Sequence, residues 1–126
     1  MACNEPLLYL FNKETMIQET AEKFEGAVSI VFQVPKAGIF TTALLKFSQA
    51  PTTAENIIIT FKSGKGTDFD TIIYEVDPSN PARTDIIYSP SVAIPLNEGD
   101  KIEITYANTD TRTIAVIIKG LDSSSF

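Results

Sequence analysis

Residues 101–106 read KIEITY, a strict alternation of polar and apolar side chains. Successive side chains of a β-strand point to opposite faces, so this pattern predicts a strand with one buried and one solvated face. A turn signal at 97–100, NEGD, precedes it, and residues 113–119 repeat the alternation. The pattern therefore predicts β-structure in the C-terminal part of the chain.

Comparable runs recur along the chain, separated mostly by prolines and glycines. They occupy residues 27–34, 38–47, 56–62, 71–76, 85–88 and 92–96, whereas residues 15–24 predict either a short helix or a polar edge strand. Period-two patterning and β-branched residues between frequent turns are typical of an all-β fold, a single antiparallel β-sandwich that is jelly-roll-like. The expected buried residues are Val28, Ile30, Phe32, Ile57, Ile59, Phe61, Ile102, Ile104, Ile114, Val116 and Ile118.

Length and composition predict one domain. The chain has 126 residues, of which 44% are hydrophobic and 21% charged, an ordinary globular composition. We expect a single domain over 1–126, in which residues 1–25 form an N-terminal arm or an edge segment.

Charge and residue types exclude several classes of function. The formal net charge is −6, which repels phosphate backbones, so no nucleic-acid partner is expected. The single cysteine, Cys3, excludes a disulfide framework and a multi-thiolate zinc site. Neither a signal sequence nor an apolar run of the ~20 residues that a membrane helix needs is present, so we expect no membrane partner and synthesis in a cytoplasm.

The stretch at 59–70, ITFKSGKGTDFD, superficially suggests a phosphate-binding loop. A P-loop needs four residues between its glycines and a helix after them, whereas here one residue separates the glycines and a strand follows. We interpret the stretch as a hairpin loop in which glycines supply positive φ angles. Asp68 and Asp70 are weak calcium candidates, but the expected site inventory contains no metal and no cofactor.

We expect no enzymatic activity. The chain has no histidine, the usual base for serine or cysteine nucleophiles. Glu75 and Glu103 are candidates for paired carboxylates, but alternation places both on solvent-facing sides of their strands. No catalytic residue is therefore assigned.

Several strands contain consecutive apolar residues that break the alternation. An antiparallel sheet with one solvated face does not need the additional residue, so either loops cover the second face or another protein does. The number of such pairs favours a partner. The interface candidates are Val31, Ile58, Ile73, Ile87 and Ile117.

Residues 86–90 (IIYSP) and 94–110 (IPLNEGDKIEITYANTD) resemble a pattern in small structural proteins of tailed bacteriophages. In that pattern a strand ending in Pro-Leu meets an E-G-D turn, and a strand ending in YANTD and a last apolar strand follow. The preceding hairpin is also similar, so the resemblance covers about residues 55–120. Many jelly rolls and carbohydrate-binding sandwiches enter a late strand through a similar NEGDKIEI sequence.

The resemblance implies a virion accessory protein, such as a head decoration or cement protein, a head-fibre protein or a neck protein. Its implied partners are other virion proteins, namely major capsid or neck subunits, and further copies of itself, with a trimer preferred. The alternative is a carbohydrate-binding β-sandwich for host-surface glycans. Carbohydrate modules usually stack aromatic side chains on sugar rings, and Phe69 is the candidate for that role.

Overall fold

The structure is a computed structural model that describes residues 17–122. It contains nine strands in this range. In chain order they are β1 (Ile17–Phe24), β2 (Val28–Phe32), β3 (Gly38–Phe47), β4 (Ile57–Lys62), β5 (Thr71–Val76), β6 (Asp85–Tyr88), β7 (Ile94–Leu96), β8 (Lys101–Tyr106) and β9 (Ile114–Asp122). A 3₁₀ turn at Thr67–Phe69 lies between β4 and β5.

The strands form two antiparallel sheets that pack face to face. Sheet A has the order β1-β9-β3-β6, with β7 also paired to β3, and sheet B has the order β2-β8-β4-β5. The core lies between the sheets, as in other β-sandwiches. The prediction of an all-β sandwich is confirmed.

Strands β6 and β7 follow one another along the same edge of β3. Residues 85–88 of β6 pair with 43–46 of β3, and residues 94–96 of β7 pair with 38–40. Both pairings are antiparallel, so β6 and β7 run in the same direction and act as one strand interrupted at residues 89–93.

Alternation sends the expected side chains into the core. Ile57, Ile59, Ile102, Ile104, Ile114 and Ile118 have no exposed surface, and Val28, Ile30, Phe32 and Val116 are also buried. Phe61 is the exception among the expected core residues, because it is half-buried and packs against the margin of the core.

The segment at 15–24, which the sequence left as a helix or an edge strand, contains an edge strand. Strand β1 pairs with β9 on one side and forms an edge of sheet A in the described chain. Its exposed Glu19, Glu22 and Lys23 are the kind of charged side chains that discourage further edge pairing. Residues 1–16 of the expected N-terminal arm, with Cys3, lie outside the described residues.

Aromatic rings close one side of the sandwich. Tyr74 on β5 of sheet B stacks on Tyr88 on β6 of sheet A, with ring centroids 4.5 Å apart and an interplanar angle of 21°. Tyr88 also stacks on Phe40 at 6.2 Å. The Tyr74–Tyr88 contact joins the two sheets where their edge strands β5 and β6 meet, whereas the Phe40–Tyr88 contact lies within sheet A. Within residues 17–122, no helix is long and apolar enough to cross a bilayer.

Candidate functional site

The outer face of sheet A carries a continuous row of apolar side chains. Ala21 of β1 pairs with Ile117 of β9, Ile117 pairs with Leu44 of β3, and Leu44 pairs with Ile87 of β6. Paired residues in a sheet point to the same face, and their buried neighbours Ala43, Ile86 and Ile118 show that this face is the outer one. We call Ala21, Ile117, Leu44 and Ile87 the apolar row.

The apolar row is accessible in the described chain. Ile87 is 67% exposed, an unusual value for a large aliphatic side chain, while Leu44 and Ile117 are half-buried. A groove of about 340 Å³ lies over the part of the row on β9, β3 and β6, and its lining includes Leu44, Ile87, Ile117 and Ala115 together with Lys46 and Asp85. The row therefore offers apolar surface that another molecule could cover.

Charged residues of both signs flank the apolar row. On one side, Lys23, Ala115, Lys46 and Asp85 form the next row across the four strands. Lys46 and Asp85 form an exposed ion pair at 3.4 Å. On the other side, Glu19 and Lys119 form an ion pair at 3.9 Å. Three lysines and two carboxylates thus surround the row, whereas the whole chain carries a net charge of −6.

The outer face of sheet B is more polar. Val31 of β2 is 42% exposed and pairs with Glu103 of β8, while Ile58 of β4 pairs with Thr105. Lys62 lies beside them and forms ion pairs with Glu103 and Asp70, each at 3.6 Å. Val31 and Ile58 are interface candidates that lie on this face, in different rows and between polar neighbours.

A β-bulge corrects the prediction for strand β5. Ile59 pairs with Tyr74 and the next residue of β4, Thr60, pairs with Ile72, so Ile73 is the additional residue of the bulge. Ile73 packs against the core, and Ile72, which strict alternation with Tyr74 would turn inward, is 55% exposed. The bulge exchanges the two positions because it shifts the alternation by one residue. Ile73 is thereby excluded from an outer-face interface.

The loop between β4 and β5 is a hairpin loop, as predicted. Gly66 has a φ of 131° and precedes the 3₁₀ turn. Gly64, by contrast, has no positive φ and is needed for space, since a Cβ on it would lie 2.8 Å from the carbonyl carbon of Gly99. The glycines of this loop therefore serve two different structural needs.

The calcium and glycan candidates lie in this same loop. Asp70 accepts a hydrogen bond from the Ser63 N–H at 2.9 Å and pairs with Lys62, so its carboxylate already holds the loop together. Asp68 is exposed on the 3₁₀ turn, and Phe69 beside it is 60% exposed. In the range 17–122, no group of three or more cysteine or carboxylate side chains is placed to hold a metal ion.

Carboxylates at the opposite end of the sandwich cap backbone groups. Asp110 accepts hydrogen bonds from the N–H groups of Thr52 and Thr53, both at 2.8 Å, and from the Thr53 hydroxyl at 2.7 Å. These bonds, above all those from Thr53, lower the pKa of Asp110 to about 2. The carboxylate of Asp77 accepts hydrogen bonds from the hydroxyl and the N–H of Ser79, and these bonds lower the pKa of Asp77. Both carboxylates therefore act as loop caps in this structure.

Two features of this end were not predicted from the sequence. Asn108, with a φ of 53°, is buried and donates to the carbonyls of Gly26 and Arg112. The Tyr106 hydroxyl is buried without a hydrogen-bond partner among the described residues. Burial and the nearby Glu55 and Asp110 charges raise the pKa of Tyr106 to about 12. An asparagine after a strand is a recognisable turn signal, and alternation places Tyr106 inside, but no pattern in the sequence predicts that its hydroxyl lacks a partner among the described residues.

The candidate residues thus divide between three places. Ile87 and Ile117 meet on sheet A, together with Leu44, which was not among the interface candidates. Val31 and Ile58 lie on sheet B, and Ile73 packs against the core. No family model matches the sequence, and no curated protein matches it. The case for function accordingly rests on the geometry of these surfaces and on the resemblance over residues 55–120.

Proposed function

We propose that the chain is a non-enzymatic structural protein of a tailed-bacteriophage virion, either a capsid decoration or cement protein or a head-fibre protein. It is made in the host cytoplasm and acts in the virion, where it binds other virion subunits, namely major capsid or neck subunits, and further copies of itself. The observation that carries this proposal is the apolar row on sheet A, which crosses all four strands of that sheet's main path.

The form of the apolar row supports a binding role. Scattered single apolar residues are normal on a protein surface, whereas a contiguous set rimmed by polar residues is typical of protein interfaces. Here Ile117, Leu44 and Ile87 are adjacent in register, with Lys46 and Asp85 on the rim. The row thus has an apolar centre and a charged margin.

The strand order supports a jelly-roll interpretation. With β6 and β7 counted as one interrupted strand, each sheet has four strands, and chain-distant strands such as β1 and β9 lie side by side. Two nested Greek keys produce such an arrangement, and jelly rolls include viral capsid domains as well as lectins. Because a fold does not determine a function, this order raises the plausibility of both classes without choosing between them.

The resemblance to phage structural proteins favours the virion role over the carbohydrate-binding role. It extends over residues 55–120, which include the turn at Gly99 and strands β8 and β9. Gly99 has a φ of 90°, and the carboxylate of Asp100 accepts a hydrogen bond from the Asn97 N–H at 2.9 Å. This geometry supplies a physical reason for the E-G-D turn. The resemblance also favours a homo-oligomer, with a trimer as the preferred form.

Virion incorporation is tested directly by mass spectrometry. Particles produced by the genome that encodes this chain are purified by density gradient and digested. We expect peptides of the chain in the particle fraction, retained after washing at high salt. Their absence from particles that contain the capsid and portal proteins would overturn the proposal.

A carbohydrate-binding function is the second candidate. Phe69 is 60% exposed, and its neighbours Thr67 and Asp70 help to line an open hollow of about 470 Å³. A glycan array compares the wild-type chain with Phe69→Ala, using Ile72→Ala as the control because Ile72 is 55% exposed on the adjacent strand. Binding lost in Phe69→Ala alone would favour this candidate.

A further inference from the structure

A partner that covers the apolar row must match it in shape and charge. A net charge of −6 on the chain opposes association of two copies in general. The margin of the apolar row differs in charge from the chain as a whole. It carries three lysines, Lys23, Lys46 and Lys119, and two carboxylates, Glu19 and Asp85. Two copies can therefore approach through this face without the repulsion that the overall charge would cause.

The charges are also distributed in a self-complementary way. Lys23 on β1 and Asp85 on β6 occupy the two ends of a single row, at opposite edges of sheet A. A two-fold axis parallel to the strands, placed between two facing sheets, reverses the order of each row. Lys23 then lies opposite Asp85 of the second copy, and the reverse contact repeats the pair.

The same operation matches the apolar residues. Ala21 lies opposite Ile87 of the second copy, a small side chain against one that is 67% exposed. Ile117 lies opposite Leu44 of the second copy, and both of these side chains are half-buried in the single chain. In the neighbouring row Lys46 lies opposite Ala115, so no two like charges face each other there.

We propose that the occupant of the apolar row is the apolar row of a second copy, in a two-fold pair held by Lys23–Asp85 ion pairs at its margin. The pair deepens the proposed function and rests on it, because it names the partner of the same surface. A contact of this kind uses the same patch on both copies and closes with two chains. It therefore replaces the trimer that the resemblance favours.

The expected affinity is modest. Strand spacing of about 4.8 Å and a rise of about 3.3 Å per residue give the four-stranded patch a footprint of roughly 400 Å². Two such faces bury roughly 800 Å² in total, below the ~1,200 Å² at which stable specific interfaces begin and in the range of weak, transient contacts. The mass of the full chain is therefore measured by sedimentation equilibrium up to roughly 100 micromolar, where a micromolar pair is populated.

Charge reversal tests the arrangement. Lys23→Glu and Asp85→Lys should each raise the dissociation constant about tenfold or more, because each places like charges opposite one another twice. The double variant Lys23→Glu/Asp85→Lys should bind about tenfold more tightly than Asp85→Lys, which shares its loss of the Lys46–Asp85 ion pair. Rescue of this kind cannot come from a folding defect, so the double variant separates the interface from misfolding.

An apolar substitution supplies an independent test with a matched control. Ile87→Asp should raise the dissociation constant about a hundredfold or more, since the side chain is lost twice in a symmetric pair. Val31→Asp places the same charge at an exposed position on sheet B and should leave association unchanged. Circular dichroism melts confirm that each variant is folded.

The outcomes separate this inference from the proposed function. A two-chain mass that these variants disrupt and the charge swap restores supports the pair. A wild-type chain that remains monomeric, a three-chain mass, or an Ile87→Asp variant that behaves like Val31→Asp overturns it. The three results that overturn the pair do not bear on virion incorporation, which the particle experiment tests separately.

Discussion

The carboxylate of Asp100 accepts a hydrogen bond from the backbone N–H of Gly64 at 2.8 Å, across 36 positions of sequence. Its second oxygen accepts from the Asn97 N–H at 2.9 Å. One buried side chain thereby connects the turn before β8 to the hairpin loop between β4 and β5. The calcium and glycan candidates belong to that loop, so their position depends on this contact.

Removal of this carboxylate should destabilise the sandwich. Asp100→Ala leaves the Gly64 and Asn97 N–H groups without their acceptors, at a cost of about 2–4 kcal/mol, since a hydrogen bond to a charged group contributes about 1.5–3 kcal/mol. Urea denaturation measures the change. Asp100→Asn retains one acceptor oxygen and should lose less. Equal stability of wild type and Asp100→Ala would show that the contact is unimportant.

The close approach of Gly64 to Gly99 should make residue 64 intolerant of any side chain. A Cβ at Gly64 would lie 2.8 Å from the Gly99 carbonyl carbon, so Gly64→Ala should cost about 1–3 kcal/mol through overpacking. Gly26→Ala is the matched control, because nothing lies within 4 Å of its Cβ position. If both variants unfold at the same urea concentration, the loops do not pack as closely as described.

Asp110 should make stability depend on acid pH. Its folded-state pKa of about 2 is below its ordinary value of 3.8, so the folded state releases the proton more readily than the unfolded chain. The resulting stability is complete above about pH 4 and is lost as pH falls towards 2. Melting temperatures between pH 5 and 2 should fall less steeply for Asp110→Asn. Parallel curves for the two proteins would contradict this.

Tyr106 should make the stability of the fold depend on alkaline pH. Its folded-state pKa of about 12 is above the ordinary 10, so the associated stability is complete below pH 10 and declines as pH rises to 12. Tyr106→Phe should lose less stability over that interval and should be at least as stable at pH 7, since the buried hydroxyl has no partner among the described residues. Tyr88→Phe controls for general alkaline effects. A strongly destabilised Tyr106→Phe would reveal a hydrogen bond to the hydroxyl.

Divalent ions should not contribute to stability. A chelator should leave the melting temperature within about one degree, because a ligand stabilises only a fold that binds it. Asp70→Asn destabilises the loop in any case through Ser63 and Lys62, so each variant is compared with and without chelator. A large drop in wild type that is absent in Asp68→Asn and Asp70→Asn would establish the calcium site.

The alternation of polar and apolar residues was sufficient to predict the strands but not the surfaces that the assembled sheets present. Alternation places Ile102 and Ile104 inside, because burial on one face is a property of each strand by itself. The bulge at Ile73 escapes this reasoning, since one additional residue reverses the alternation on one side of it, here at Ile72, while Tyr74 stays inward. The apolar row requires strand order as well: Ile117 and Ile87 are separated by β3 and become neighbours of Leu44 only once the sheet is assembled.

The hydrogen bonds by which carboxylates cap distant loops could not be predicted from the sequence either. Asp100 caps its own turn through Asn97, as an aspartate in a turn commonly does, but its bond to Gly64 depends on how two loops meet. Asp110 reaches Thr52 and Thr53 in the same way, from the loop after β8 to the loop before β4. Such contacts follow from tertiary packing and leave no spacing that a single sequence reveals.

The interruption between β6 and β7 has a consequence for engineering. Residues 89–93 leave the sheet, Val92 is 78% exposed, and the strand segments on both sides are fixed independently by pairing with β3. Added chain length at this point would shift the register of neither segment, and lengthening a surface loop costs little free energy. The interruption is therefore a natural position for grafting a foreign epitope, which the scaffold would display at a margin of sheet A.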